Sequence, residues 1–426
     1  MELKKLKKVV DVITGYPFEG ELYSDEGIRV VRGENITEGR LRWDTIKCWN
    51  FPFDKKEFYS LKENDVVIGM DGSKVGKNKA RIKKEDLPLI LAQRVACLRG
   101  KDTLNQVYLY YCIHNNRFED FVFRIQTGSS VPHISKTQIE EFTIPYHVIS
   151  VQKSIAKVLS DLDAKIELNN RINRELEAMA KTLYDYWFVQ FDFPFDFAQG
   201  KSDINGKPYK SSGGKMVWNE QLKREIPEGW EVKKLGDLGD FKNGVNYDPS
   251  NPGEIACPII NVRNISASSF FIKNEDLDII YLRESDVRKY SVNAGSIIIA
   301  RSGIPGATRM ISDIAENTLY CGFAIHYSLN NLGFKIPVFF FLKSLEEHIQ
   351  SGSGGTILKN VNQGTLNALK IVLPKEDSTV NKFNNLIEPI FGKITNVQKQ
   401  NQHLTTLRDW LLPMLMNGQV TVGDSK

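Results

Sequence analysis

No two cysteines in this sequence are spaced as CxxC; the five present, Cys48, Cys97, Cys112, Cys257 and Cys321, are scattered over 426 residues. Such spacing fits neither a structural zinc site nor a disulfide framework, and buried reduced thiols are expected. Long apolar runs are missing as well. Stretches such as Ser296 to Ala300 and Pro337 to Leu342 fall far short of the roughly 20 residues of a spanning helix. The opening MELKKLKKVVDV puts charge where a signal peptide has its apolar core. A cytoplasmic protein without a membrane segment is the expectation. Neither sign of charge dominates: 56 Lys and Arg against 52 Asp and Glu leave a net +4. Any nucleic-acid partner must therefore be argued from local patterns.

Catalytic signatures are absent too. The stretch GMDGSKVGKN comes nearest to a phosphate loop, but Asp71 stands where its first glycine belongs and Asn78 where Ser or Thr belongs. The six histidines form no HExxH, and no GxSxG elbow occurs. The (N/D)PP(Y/F) motif of amino-methyltransferases is also missing, since DFPFDF at Asp192 to Phe197 resembles it only superficially. No catalytic residue, metal ligand or cofactor is expected.

What is present is an ordinary globular composition, 41% hydrophobic and 25% charged, at a length that suggests two or three domains. It is also a repeat. Lys4-Lys5-Leu6 falls on Lys233-Lys234-Leu235 at an offset of 229, and GIRVVRGENI (Gly27 to Ile36) falls on ACPIINVRNI (Ala256 to Ile265) at the same offset. DVVIGMDG (Asp65 to Gly72) matches SIIIARSG (Ser296 to Gly303) at 231. HISKTQIEEFTI (His133 to Ile144) matches NVNQGTLNALKI (Asn360 to Ile371) at 227, and Ala164-Lys165-Ile166 matches Gly392-Lys393-Ile394 at 228. One offset kept over separated segments, drifting by a few residues, is the mark of a duplication with small loop insertions.

Each copy opens with short β-branched and aromatic runs between Gly, Asn and Asp turns, a compact α+β globule. Each closes on a long helix. A four-three alternation links Ile155, Leu159, Leu162, Ile166, Asn169, Asn173, Leu176, Ala180, Leu183 and Trp187. The same frame links Phe383, Ile387, Ile390, Ile394, Val397, Asn401, Leu404, Arg408, Leu411 and Leu415. Two matched heptad helices predict an intramolecular coiled coil, about 50 Å long and, in a globule-helix-globule-helix order, open to antiparallel pairing. Paired in that way, the helices would hold the two globules at opposite ends and create pseudo-twofold symmetry. The expected layout is 1–147 globule, 148–191 helix, 192–224 linker, 225–376 globule and 377–420 helix. Asn173 and Asn401 share one heptad slot, where a polar seam residue sets register. Arg408 is a charge in the seam, with a partner helix or a snorkelling side chain as the two explanations.

Candidate ligand-binding residues cluster in glycine-punctuated loops. From Gly72 to Lys84 six basic residues and no acidic one occur; Ser73, Lys74, Lys77, Lys79 and Arg81 are the candidates there for neutralising phosphates. The matching ARSGIPGATRM supplies Arg301, Ser302 and Arg309, with Arg suited to guanine. A second loop pair, each just before a predicted helix, supplies Ser129, Ser130, His133 and Lys136 in copy one and Thr356, Lys359 and Asn360 in copy two. A solvated hairpin and plain helix capping explain the same residues, and the residues alone leave both open.

IPEGWEVKKLGDLG, the paired ISKTQIEEFTIP and VNQGTLNALKIVLP, and the helices AKVLSDLDAKIELNNRINRELEAMAKTLYDYWF and NLIEPIFGKITNVQKQNQHLTTLRDWLLPML resemble the specificity subunit of type I restriction-modification systems. The resemblance covers essentially the whole chain. It implies an α+β fold of two α/β target recognition domains joined by long antiparallel coiled-coil helices. It further implies that each domain reads one half of a split double-stranded DNA target, and that the helices act as spacer and docking surface for two methyltransferase subunits, to which restriction subunits add. The helix length would hold the half-sites within roughly 15 base pairs of each other. Base-reading residues do not transfer, because recognition domains diverge within that family. Two rival readings are a coiled-coil scaffold that binds no DNA, and an enzyme with an unrecognised motif.

Overall fold

A computed structural model describes residues 2–54, 56–126, 131–248, 250, 252–274, 277–350 and 361–422. The chain forms two compact units, Met1–Glu167 with His403–Lys426, and Leu168–Gln402.

Unit 1 begins with β1 (Glu2–Lys5), α1 (Leu6–Val9), β2 (Val10–Thr14), β3 (Ile28–Val31), β4 (Cys48–Trp49), α2 (Lys56–Tyr59), β5 (Val66–Gly69) and β6 (Lys79–Arg81). It continues with β7 (Leu89–Leu91), β8 (Val95–Gly100), α3 (Gln106–Ile113), α4 (Asn116–Ile125), α5 (Lys136–Glu140), β9 (Thr143–Tyr146) and the start of α6 (Ile149–Tyr184). Three sheets result, ordered β2-β8-β5-β6, β4-β3-β7 and β1-β9. All four residues of β5, Val66–Gly69, are buried, which is why it reads as an unbroken apolar run rather than an alternating one. Asn105, Asn115 and Ser135 end the preceding loops by accepting hydrogen bonds from the first turns of α3, α4 and α5.

Between the copies lie β10 (Pro194–Asp196), β11 (Lys201–Ser202), β12 (Lys207–Pro208), β13 (Met216–Asn219) and β14 (Arg224–Pro227). The stretch expected as a linker, 192–224, carries these short strands. Its Phe193 stacks on Tyr209 at 4.8 Å and on Trp230 at 5.1 Å between ring centroids, which buries it in the aromatic core of unit 2.

Copy two then runs β15 (Trp230–Lys234), α7 (Leu235–Leu238), β16 (Gly239–Asn243), β17 (Ile255–Ile260), α8 (Val262–Ala267), β18 (Asp278–Leu282), α9 (Glu284–Tyr290), β19 (Ile297–Ala300) and β20 (Thr308–Met310). It closes with β21 (Leu319–Tyr320), β22 (Ala324–Leu329), α10 (Lys335–Gln350), α11 (Gln363–Ala368), β23 (Lys370–Pro374) and α12 (Asp377–Met416). Its sheets are ordered β16-β22-β19-β20, β18-β17-β21 and β15-β23. Strand for strand the described residues of copy two repeat copy one, including a parallel strand pairing, β3 with β7 and β17 with β21. The duplication read from five short matches therefore holds at the level of topology.

The long helices α6 and α12 pair antiparallel. Within unit 2, Asn401 Nδ2 donates to Asn170 Oδ1 at 2.8 Å and Asn173 Nδ2 to Ile394 O at 3.4 Å, so positions rise along one helix as they fall along the other. Asn173 and Asn401 do not face each other. In an antiparallel pair, residues of one heptad slot meet different partners, and each Asn has its own. In unit 1, Arg408 Nη1 lies 2.8 Å from Asp163 Oδ1 on α6, and Tyr111 donates to the same carboxylate at 2.6 Å. The seam charge is thus a cross-helix contact.

Candidate nucleic-acid interface

The glycine-punctuated loops form a rim on each unit, held by backbone hydrogen bonds between segments distant in sequence. In unit 1, Met70 N donates to Arg94 O at 2.9 Å, Gly72 N to Pro132 O at 3.0 Å, Ile134 N to Met70 O at 2.8 Å and Gln93 N to Tyr16 O at 2.8 Å. Gly15 is required for this lacing, since a Cβ there would lie 2.0 Å from Ala92 O. Gly72 turns the chain at φ +98, a conformation side chains rarely adopt. An open cleft of about 630 Å³ results, with Gly15, Asp71, Gln93, Arg94 and His133 among its lining residues.

Unit 2 repeats the construction. Arg301 N donates to Phe323 O at 2.9 Å, Gly244 N to Ala324 O at 3.1 Å and Val245 N to Tyr320 O at 2.9 Å. A Cβ on Gly244 would meet Cys321 O at 2.2 Å. The loop after β19 turns at Gly303 (φ +74) and Gly306 (φ +83).

The candidate residues divide sharply. Ser73, Lys74, Lys77, His133, Lys136 and Arg301 are exposed. Lys74 has Glu38 3.5 Å away, and Lys136 has Glu140 3.7 Å away on the same short helix. Arg301 Nη1 donates to Gly322 O at 3.1 Å. Ser302 is half-buried, as is Arg81, whose guanidinium sits 5.4 Å from the Tyr110 ring centroid. Ser129, Ser130, Thr356, Lys359 and Asn360 lie outside the described residues.

Lys79 and Arg309 correct the sequence reading. Lys79 is 2% exposed; its Nζ lies 2.7 Å from Glu119 Oε1 and donates to Gly76 O at 3.1 Å. Burial pulls the ammonium pKa down, and Glu119 works against that pull. Arg309 is 5% exposed, bonded to Ser268 O at 2.6 Å and to both oxygens of Glu346 at 2.9 and 3.1 Å. Burial pushes the Glu346 carboxyl up, but Lys343 and Arg309 outweigh it and hold its pKa below the usual value. Both cations tie the β5–β6 and β19–β20 hairpins to a helix, because a buried charge requires a partner. Neither is offered to a ligand.

Two exposed residues escaped the sequence reading. Arg94, its side chain 73% exposed, and Phe323, 63% exposed, stand on the turns between β7 and β8 and between β21 and β22. The offset of 229 lays Ala92-Gln93-Arg94 over Cys321-Gly322-Phe323, so the repeat already pointed to both. Arg94 Nη1 is 3.0 Å from Asp71 Oδ2.

Exposed lysines and arginines, hydroxyls and glycine backbone on a rim suit contacts to phosphates and base edges. Among the described residues no group of three or more His, Cys, Asp or Glu is arranged to hold a metal ion. All five cysteines are free and buried, and burial pushes the Cys112 thiol up to about 12.

The family described as "Type I restriction modification DNA specificity domain" matches residues 1–178 and again 227–404. The type I restriction enzyme MjaIX specificity subunit of Methanocaldococcus jannaschii is 28% identical over 415 residues, 94% of this chain and 85% of that protein. The HindI specificity subunit of Haemophilus influenzae is 25% identical, over 74% of this chain and 77% of its own length. A crystal structure of the type I restriction-modification S subunit from M. genitalium superposes with a TM-score of 0.53 at 18% identity, covering 97% of this chain and 96% of that one, so the fold is shared. With both copies matched, the chain belongs to the type I restriction-modification DNA specificity family and carries its domain twice.

Proposed function

We propose that this chain is the sequence-specificity subunit of a type I restriction-modification complex. It binds double-stranded DNA at a two-part target, one part for each copy of the domain. It carries two methyltransferase subunits and, through them, restriction subunits, and performs no chemistry itself. In this reading residues 1–147 and 225–376 are the recognition domains, 148–191 and 377–420 form the spacer, and the complex works in the cytoplasm. No described helix is long and apolar enough to cross a membrane. The observation that carries the proposal is the duplicated specificity domain, each copy presenting a rim laced around glycines. Exposed Lys74, Lys77 and Arg301 on those rims suit the phosphate backbone.

The test is genome-wide mapping of methylated adenines in cells that carry this gene with its neighbouring methyltransferase, beside cells that lack it. A gapped two-part motif that disappears with the gene is the expected result. Absence of such a motif while the methyltransferase is expressed and bound would overturn the proposal. A coiled-coil scaffold would instead show no salt-dependent DNA affinity, and an enzyme would turn over substrate as the isolated chain.

A further inference from the structure

The turn that carries Phe323 is rigid. Arg301 N holds Phe323 O at 2.9 Å, Ala324 N donates to Cys321 O at 2.9 Å, and Arg301 Nη1 clamps Gly322 O at 3.1 Å. Asn246 packs against Gly322, where a Cβ would lie 1.8 Å from Asn246 Oδ1 and would displace that side chain. The ring itself is 63% exposed, and it is its place on the laced turn, not its exposure, that sets it apart.

Nor does the turn need that ring. In unit 1 the corresponding turn is laced in the same way, with Met70 N on Arg94 O at 2.9 Å, and its outward residue is an arginine. The scaffold thus accepts a charged or an apolar residue at this point, and the difference is left to whatever approaches the rim. Other exposed apolar side chains, such as Phe123 on α4 and Leu332, have no such place in the lacing.

We propose that Phe323 contacts the bases of the half-site read by unit 2 through its ring, meeting thymine methyl groups or the face of an opened base step, and that Arg94 makes the corresponding contact in unit 1 by charge and hydrogen bonding. This rests on the DNA-recognition reading above. The two halves of the target are then read by different physics. Because the turn is ordered before binding, little conformational freedom is lost when the ring engages.

The test uses the full-length chain bound to its methyltransferase subunits and a pool of duplexes with randomised sequence. Wild type, Phe323→Ala, Phe323→Leu and Arg94→Ala are each put through selection, and their affinities for the duplex chosen by wild type are measured against salt. Phe323→Ala is expected to lose base preference in one part of the motif only. Its affinity should fall about tenfold, the order of one aromatic–base contact, at an unchanged salt slope. Arg94→Ala should relax base preference in the other part and lower affinity about tenfold. Thymine-to-uracil replacement at the affected position separates the two apolar contacts. A tenfold loss, with Phe323→Leu partly retaining preference, assigns the methyl group; no loss assigns the base face. If Phe323→Ala selects the wild-type motif with unchanged affinity, the proposal is overturned. If wild type selects no motif, the DNA-recognition reading fails first, and this inference with it. Melting of Phe323→Ala at the wild-type temperature excludes a folding defect.

Discussion

Lys77 and Lys79 are two residues apart, yet one is exposed and the other is 2% exposed against Glu119. Lys77→Ala should leave the melting temperature unchanged and lower the salt slope of duplex binding by about one. Arg309→Ala should do the reverse. Removing the guanidinium takes the bidentate partner from Glu346 in a buried site, where Lys343 and the Thr308 N–H still reach it, at a cost of about 3 kcal/mol, which denaturant unfolding of unit 2 would read. Two histidines make stability depend on pH. Burial, and then the Lys79 and Arg408 charges, lower His114 to about 4; burial, and then Lys242, lower His326 to about 4. Unfolding returns each to an ordinary value near 6.5. The unfolded state therefore binds more protons between pH 6.5 and 4, and stability should fall with pH across that window. The slope is about 1.4 kcal/mol per pH unit for each histidine. Unfolding at pH 7 and pH 5 checks this, with His114→Gln and His326→Gln each expected to flatten the dependence of its own unit.

At the scale of elements, the helix pair uses the same slots differently in the two units. Asp163 and Arg408 of unit 1 correspond through the repeat to Phe391 and Ala180 of unit 2, an offset of 228 in both cases. Phe391 packs on Phe271 at 5.1 Å and Phe340 at 5.9 Å, and Ala180 is fully buried. A charged network in one unit is therefore an aromatic cluster in the other. Burial works against the Arg408 charge, but Asp163 and Asp409 more than compensate and raise its pKa. Arg408→Ala should destabilise unit 1 by about 2 kcal/mol, by taking the charged partner from a half-buried carboxylate and leaving it the Tyr111 hydroxyl among the described residues. Asn173 behaves otherwise. Its Oδ1 has no partner and its single cross-helix bond is long, 3.4 Å. Asn173→Leu should thus raise the melting temperature by a few degrees, about 2–4 °C per kcal/mol gained. A lower melting temperature would show that the long bond outweighs the stranded oxygen.

The whole molecule is one topology written twice with different outward residues. Arg94 and Phe323 belong to different units, and the backbone of its own unit holds each one. Their effects on DNA affinity should therefore add, with the double variant within about 0.5 kcal/mol of the sum of the single losses. Binding titrations of the two single variants and the double variant decide it. A larger deviation would mean that the two rims engage DNA as one surface.

Sequence alone was enough for the duplication, the strand runs and the two heptad helices. Each depends on periodicity and spacing along the chain, which the sequence states directly. Residues 192–224 read only as a linker, because the burial of Phe193 and Tyr209 comes from Trp230 and its neighbours, which lie beyond that stretch. The same holds for the candidate interface. Its glycine loops were legible, but which of its cations are free was not: Lys79 is consumed by a glutamate 40 residues away and Arg309 by one 37 away. Only the tertiary structure decided that Arg94 and Phe323 face outward and that Arg408 answers Asp163, because burial and charge pairing are set by residues far apart in the chain.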